Sequence, residues 1–284
     1  MSFRLANVDG RAALVRDDAW FDLERLGTGA PADPMEALAN LDALHAADAT
    51  LGDATPSGSF ADALDAGRVG PPVPAPSACF GIGLNYRSHV AESNMAVPTV
   101  PVVFTKFPGC LVGPRATVEL VGAMCDYEVE LVVAIGPGGR HIEVDSAWEH
   151  VAGLTVGQDI SDRALQFAAS PPHFDLGKSR DTFGPLGPVL VSTDLVPDRD
   201  ALALTCSVDG EPRQQGTTAD LIFSVPELIA YLSAVMTLRP GDLIFTGTPD
   251  GVGMATGTLL TDGCTIDSSI EGIGELHNPC RLVG

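Results

Sequence analysis

Short runs of alternating apolar and polar residues dominate the chain, and they fall into two stretches of different character. In the first 75 residues FRLANV, ALVRD and AWFDL have the length and alternation of strands, while PMEALANLDALHAAD and FADALDAG carry apolar residues at helical spacing. Later, VVFTKF, YEVELVVAIG, GPVLVS, LALTCSV and DLIFTG are strand-length runs set between Gly and Pro turns. Asp209-Gly210 after LALTCSV predicts a two-residue hairpin turn, because this pair tolerates positive φ. Ser224 is placed to cap a helix over PELIAYLSAVM, whose Leu228, Ile229, Leu232 and Val235 share one face and which Pro240-Gly241 would end. Between the two stretches GPPVPAP, residues 70–76, is poor in amide donors and favours extended backbone, so it reads as a linker. The expected fold class is α+β, with a small α+β domain over residues 1–75 and a mainly-β domain over residues 76–284.

Composition adds exclusions. An apolar fraction of 45% against 19% charged residues in a chain of 284 provides for a substantial core. The amino-terminal residues contain no uninterrupted apolar segment of the secretory kind, and no run approaches the ~20 apolar residues a membrane span requires. A soluble, cytoplasmic protein is expected. The net charge of −21 argues against nucleic acid or an anionic membrane as partner, since either would be repelled. The six cysteines include no CxxC pair and no neighbouring His at ligand spacing, so buried free thiols are expected in place of a zinc or disulfide framework. Among sixteen basic residues only Lys106 and Lys178 are Lys, and a chain that otherwise uses Arg keeps Lys where a compact point charge is wanted.

Candidate chemistry concentrates after residue 80. In DYEVELVVAI, period-two geometry puts Asp126, Glu128 and Glu130 on one strand face. Three carboxylates side by side either face water or share a cation, and oxygen donors suit Mg²⁺, Mn²⁺ or Ca²⁺. Asp159 follows an apolar run, and Arg163 and Gln166 lie four and seven residues beyond it, on the same side if that turn is helical. Such a group could line one pocket, or Asp159 could simply cap a turn. His89 and Glu92, three apart, can pair so that Glu92 accepts from one imidazole nitrogen and leaves the other as a base. The SNMAVP segment after them has the look of a mobile lid. Lys178 sits in a turn-rich loop, GKSRDTFGPLGP. The TGTPDGVG loop lacks the GK[ST] ending of a phosphate-binding loop, and Thr248 is its one side chain suggested for substrate contact.

Taken in order, GLNYRSHVAE, VVFTKFP, DYEVELVVAIG, VAGLTVGQDISDRALQ, GKSRDTFGPLGPVLV and LRPGDLIFTGTPDGVG resemble the fumarylacetoacetate hydrolase family over most of residues 79 to 284. The resemblance implies a mixed β-roll catalytic domain, a small amino-terminal domain and a homodimer. It implies Glu128, Glu130 and Asp159 as metal ligands, usually for Mg²⁺ or Mn²⁺, and leaves Asp126 a supporting acid. His89 and Glu92 stand at the family's catalytic dyad, with Lys178 acting beside them. Arg163, Gln166 and Thr248, with Lys178, fall on positions that contact the oxo-acid end of the substrate. The implied reaction is metal-dependent hydrolysis of a C–C bond in a small anionic 2-oxo acid of the acylpyruvate or fumarylpyruvate type, through a metal-bound enolate. Isomerisation or decarboxylation of 2-hydroxyhepta-2,4-diene-1,7-dioate-like or oxaloacetate-like compounds is the alternative. A non-catalytic metal- or ligand-binding protein ranks third. Two departures from the family pattern, Ala164 and Arg180, bear on substrate identity more than on chemistry.

Overall fold

A computed structural model describes residues 2–196 and 198–283. Two sheets organise it. The larger runs in the order Gly58–Ser59, Ala19–Asp22, Arg11–Arg16, Arg4–Val8, Gly184–Val191, Val151–Gln158, Val129–Ile135, Leu243–Phe245, Cys79–Gly83, Val102–Thr105, with two short strands attached. The smaller runs Glu211–Thr217, Ala203–Val208, Thr265–Ile270, Gly274–Leu282, Val118–Leu120. The expected α+β, mainly-β architecture is what the chain adopts.

The unbroken apolar run Leu131–Ile135 follows from its place at the centre of the larger sheet, where both faces are covered. Val129, Leu131, Val133 and Ile135 pack with Leu204, Ile266 and Leu276 of the smaller sheet. Val132 and Ala134, pointing the other way, join Leu5, Leu14, Leu38, Leu44 and Leu190. Arg4 and Leu5 pair with Val191 and Leu190, so residues before and after position 75 share one sheet.

Local differences from the sequence expectations have local causes. The stretch 34–48 forms two helices, Pro34–Leu38 and Leu41–Asp48, because Asn40 leaves helical geometry and its side chain accepts from the Ala43 amide to start the second. The Val225–Val235 helix ends before Pro240-Gly241, with Met236 already extended. At its start Glu227 reaches back to the Ser224 amide at 2.7 Å. Asp209 and Gly210 take φ of 53° and 77°, as their hairpin turn requires.

Candidate metal centre

The acidic segment is not one continuous strand. Cys125 and Asp126 pair with Asp162 and Ser161, and the central strand begins only at Val129. At the break, side-chain amides replace ladder partners. Gln158 Oε1 accepts from the Glu128 amide at 2.9 Å and Gln214 Oε1 from the Val129 amide at 3.0 Å. Asp126 stays apart from Glu130 and Asp159 but shares Arg163 Nη2 with Glu128, at 2.7 and 2.6 Å. Its oxygens accept from Arg163 Nε at 2.9 Å and from the Gly253 amide at 2.7 Å, a supporting role.

Glu128, Glu130 and Asp159 converge instead. All three are buried, and one carboxylate oxygen from each lies within 4.8 Å of the others. Asp159 arrives at the end of Val151–Gln158, held by its own amide donating to the Glu128 carbonyl at 2.9 Å. It does not share a helix with Arg163 and Gln166. The strand Ser161–Asp162 intervenes, and Asp162 caps the short helix Arg163–Gln166. Arg163 still reaches the cluster, because its Nη2 donates to Glu128 Oε1 at 2.6 Å while Nη1 donates to Gln166 Oε1 at 2.9 Å.

Both lysines of the chain enter this cluster. Lys178 Nζ bridges Glu128 and Asp159 at 2.7 and 2.5 Å and lies 5.2 Å from the Phe104 ring centroid. Lys106, fully buried, donates to Asp159 Oδ1 at 2.7 Å and to the Phe183 and Lys178 carbonyls. An ammonium has three protons. Among the described residues Lys106 meets three acceptors and Lys178 two.

The charges of the cluster do not balance. Asp126, Glu128, Glu130 and Asp159 face Lys106, Arg163 and Lys178, four acids against three bases. Burial opposes ionisation of Glu128, but Lys178, Arg163 and His89 outweigh it and hold that carboxyl down at about 2. Glu130 is the odd one out. Burial first, then Asp159 and Glu128, push its pKa well above the usual carboxylate range, and its hydrogen-bond partner is the Gly247 amide at 2.8 Å. A buried carboxylate left over among oxygen donors fits a hard divalent cation, which would turn a cluster of charge −1 into one of +1 and suit it to an anionic ligand.

The flanking residues complete the arrangement. His89 Nδ1 lies 3.3 Å from Glu92 Oε1 on the helix Arg87–Glu92, and Glu92 Oε2 accepts from the Gly251 amide at 2.7 Å. Ser93–Pro98 follows without regular structure and leaves Met95 and Val97 exposed. Thr248 is mostly engaged by protein, its hydroxyl donating to the Val129 carbonyl and accepting from Gln214. Ala164 is exposed to solvent, and Arg180 pairs with Asp162 at 2.8 Å, beneath the helix that carries Arg163.

Two features were not apparent from sequence. Lys106 drew notice by the rarity of Lys but had no assigned place. The TGTPDGVG loop serves the cluster through its backbone, with Gly247, Gly251 and Gly253 amides donating to Glu130, Glu92 and Asp126 respectively. Gly247 has φ of 104°, and a Cβ there would lie 2.8 Å from the Asn85 Cβ.

The fumarylacetoacetate hydrolase C-terminal domain model matches residues 78–281. The human mitochondrial protein named oxaloacetate tautomerase FAHD2A is 42% identical over 211 residues, covering 73% of this chain and 67% of its own. A protein given the name HpcE from Mycobacterium smegmatis superposes with a TM-score of 0.92 at 42% identity, covering 99% of this chain and 100% of that one. Maleylpyruvate hydrolase from Sphingobium sp. SYK-6, solved with manganese(II) and pyruvate, superposes with a TM-score of 0.83 at 28% identity, covering 99% and 100%. Among the described residues no helix is long and apolar enough to cross a membrane.

Proposed function

The chain belongs to the fumarylacetoacetate hydrolase family, and we propose that it is a divalent-metal-dependent hydrolase cleaving a C–C bond in a small acylpyruvate-type 2-oxo acid. The observation that carries this reading is the uncompensated carboxylate of Glu130 beside Glu128 and Asp159, which Lys178 bridges. Glu128, Glu130 and Asp159 would hold Mg²⁺ or Mn²⁺, with Ca²⁺ a further candidate. Once bound, the ion would supply Lewis-acid polarisation at the oxo-acid end of the substrate.

The chain's own groups do the rest. Glu92, fixed by the Gly251 amide, orients His89 through Nδ1 and leaves Nε2 to take a proton from water. The water oxygen bonds to the distal carbonyl carbon, and the C–C bond to the pyruvyl methylene breaks. Its electron pair passes into the 2-oxo fragment as an enolate, and the proton held by His89 returns to that methylene carbon. Lys178 stabilises negative charge on the 2-oxo oxygen. Arg163 acts by holding Glu128 and Asp126 in place, with Gln166 beside it, and Thr248 fixes the edge of the site through Val129.

Assay of the purified chain on acylpyruvates, oxaloacetate and 2-hydroxyhepta-2,4-diene-1,7-dioate, with Mg²⁺ or Mn²⁺ added, tests the reading. Tight Mn²⁺ binding with no turnover on any of them would leave a binding protein instead. The second reading is isomerisation or decarboxylation, and its isomerisation arm draws on the name of the human relative, an oxaloacetate tautomerase. His89→Ala separates hydrolysis from decarboxylation. Hydrolysis should fall by about 10²- to 10⁴-fold, mainly in kcat, whereas decarboxylation needs no activated water and should persist.

Metal binding should also be proton-linked. The ion requires ionised Glu130, whose raised pKa favours the protonated form. Apparent Mn²⁺ affinity should therefore climb as pH rises toward that value, with proton release on binding. Calorimetry in buffers of different ionisation enthalpy measures this, and a pH-independent affinity would refute it. The reading also takes the protein as a homodimer, which light scattering checks.

A further inference from the structure

The six cysteines are all free and buried, but they are not equivalent. Thr265 of one strand pairs with Pro279 of its antiparallel neighbour, so the next rung sets Cys264 opposite Cys280. The backbone confirms the juxtaposition. The Cys280 amide donates to the Cys264 carbonyl at 2.7 Å and the Gly263 amide to the Cys280 carbonyl at 3.0 Å. One bond of a reciprocal pair joins the two residues, the Cys264 amide donating to the Thr261 carbonyl instead, and directly opposed residues of an antiparallel pair lie about 4.5–5.5 Å apart at Cα, inside the ~4.4–6.8 Å that a disulfide spans. Both side chains enter the same core cluster.

The neighbouring Cys280 thiol lowers the pKa of Cys264, while Cys264 and burial drive Cys280 upward. Burial pushes Cys79, Cys110, Cys125 and Cys206 upward instead. Cys264 also lies next to the turn Thr261–Gly263, whose residues are exposed, so the pair sits one layer below solvent.

We propose that Cys264 and Cys280 form a redox-active dithiol that a small hydroperoxide oxidises to a cross-strand disulfide. The Cys264 thiolate attacks one peroxide oxygen and the O–O bond breaks. The leaving alkoxide or hydroxide takes up the proton lost by Cys264, and a sulfenic acid remains. Cys280 then attacks the sulfenic sulfur, the S–S bond forms, and hydroxide departs with the Cys280 proton as water. Two thiols are oxidised and one peroxide is reduced to an alcohol, or to water, plus a second water. Neither residue belongs to the metal centre.

Treatment of the folded full-length protein with dilute hydrogen peroxide, followed by alkylation in denaturant and peptide mapping without reduction, tests the proposal. The expected result is a cross-linked peptide pair carrying Cys264 and Cys280, two hydrogens lighter and released by dithiothreitol. Cys79, Cys110, Cys125 and Cys206 should remain alkylatable. In Cys264→Ser the cross-link should be lost and Cys280 should stay alkylatable. The proposal is overturned if both thiols are alkylated after peroxide as before it, if Cys264 accumulates as an unlinked sulfinic acid, or if it links to Cys125. Peptide maps of the parent protein distinguish these outcomes even if the variant does not fold.

Discussion

Glu130→Gln should lower kcat/KM with Mn²⁺ on the order of 10³-fold or more while making the metal-free protein more stable, by about 1–2 kcal/mol near neutral pH. The two effects share one cause. Glu130 is the member of the cluster without a cationic partner, and its pKa is raised by burial and by Asp159 and Glu128. A group whose folded-state pKa lies above its unfolded value contributes stability below the unfolded pKa and loses it as pH rises through the folded one. From the normal carboxylate range upward, the metal-free protein is therefore progressively penalised for ionising Glu130. Gln has the same shape, can still accept from the Gly247 amide, and carries no charge. Its advantage should grow with pH and vanish below the range in which free carboxylates titrate. Urea unfolding in EDTA at several pH values, beside steady-state kinetics, measures both halves. A metal-free variant less stable than the parent at pH 8 would contradict this expectation.

Asp159→Asn should move stability the other way. Asp159 carries Lys106 on one oxygen and Lys178 on the other, and Lys106 is fully buried with no other carboxylate partner among the described residues. Removing one member of a buried ion pair leaves an uncompensated charge, a cost of about 3–5 kcal/mol. Activity should vanish with the ligand. Adding Lys106→Met should restore part of the stability and none of the activity, because the methionine fills the volume without the charge. Urea midpoints for the single and double variants test this, and equal midpoints would show that Lys106 is compensated elsewhere. Two neighbouring acids offered to the same ion thus differ in what they do for the fold without it.

Much of this was legible in the chain itself. Glu130 within its strand, Asp159 just past the end of an apolar strand and the spacing of His89 and Glu92 on one helical turn reflect local geometry, which is why sequence carries them. What was hidden depends on contacts between distant segments. Asp126 stays apart from Glu130 and Asp159, and Gln158 and Gln214, far along the chain, supply the acceptors at the break in the strand. Arg163 meets Glu128 from its own short helix rather than from beside Asp159. Lys106 was notable only for its rarity, and its three acceptors come from Asp159, Lys178 and Phe183. The break between the helices over 34–48 was readable in principle from Asn40, a residue that favours starting a helix over continuing one.

The TGTPDGVG loop constrains how such a protein can change. Three amides, four and then two residues apart, each donate to a different carboxylate, so the spacing between them acts as a ruler. Inserting or deleting one residue between Gly247 and Gly253 would misalign at least one acid whatever the identity of the new side chain. An exposed residue such as Asp250 can be exchanged without moving these amides, but the segment's length cannot change. New substrate preferences would therefore have to arise by substitution within the loop or in other segments, such as Ser93–Pro98, that donate no amide to these acids.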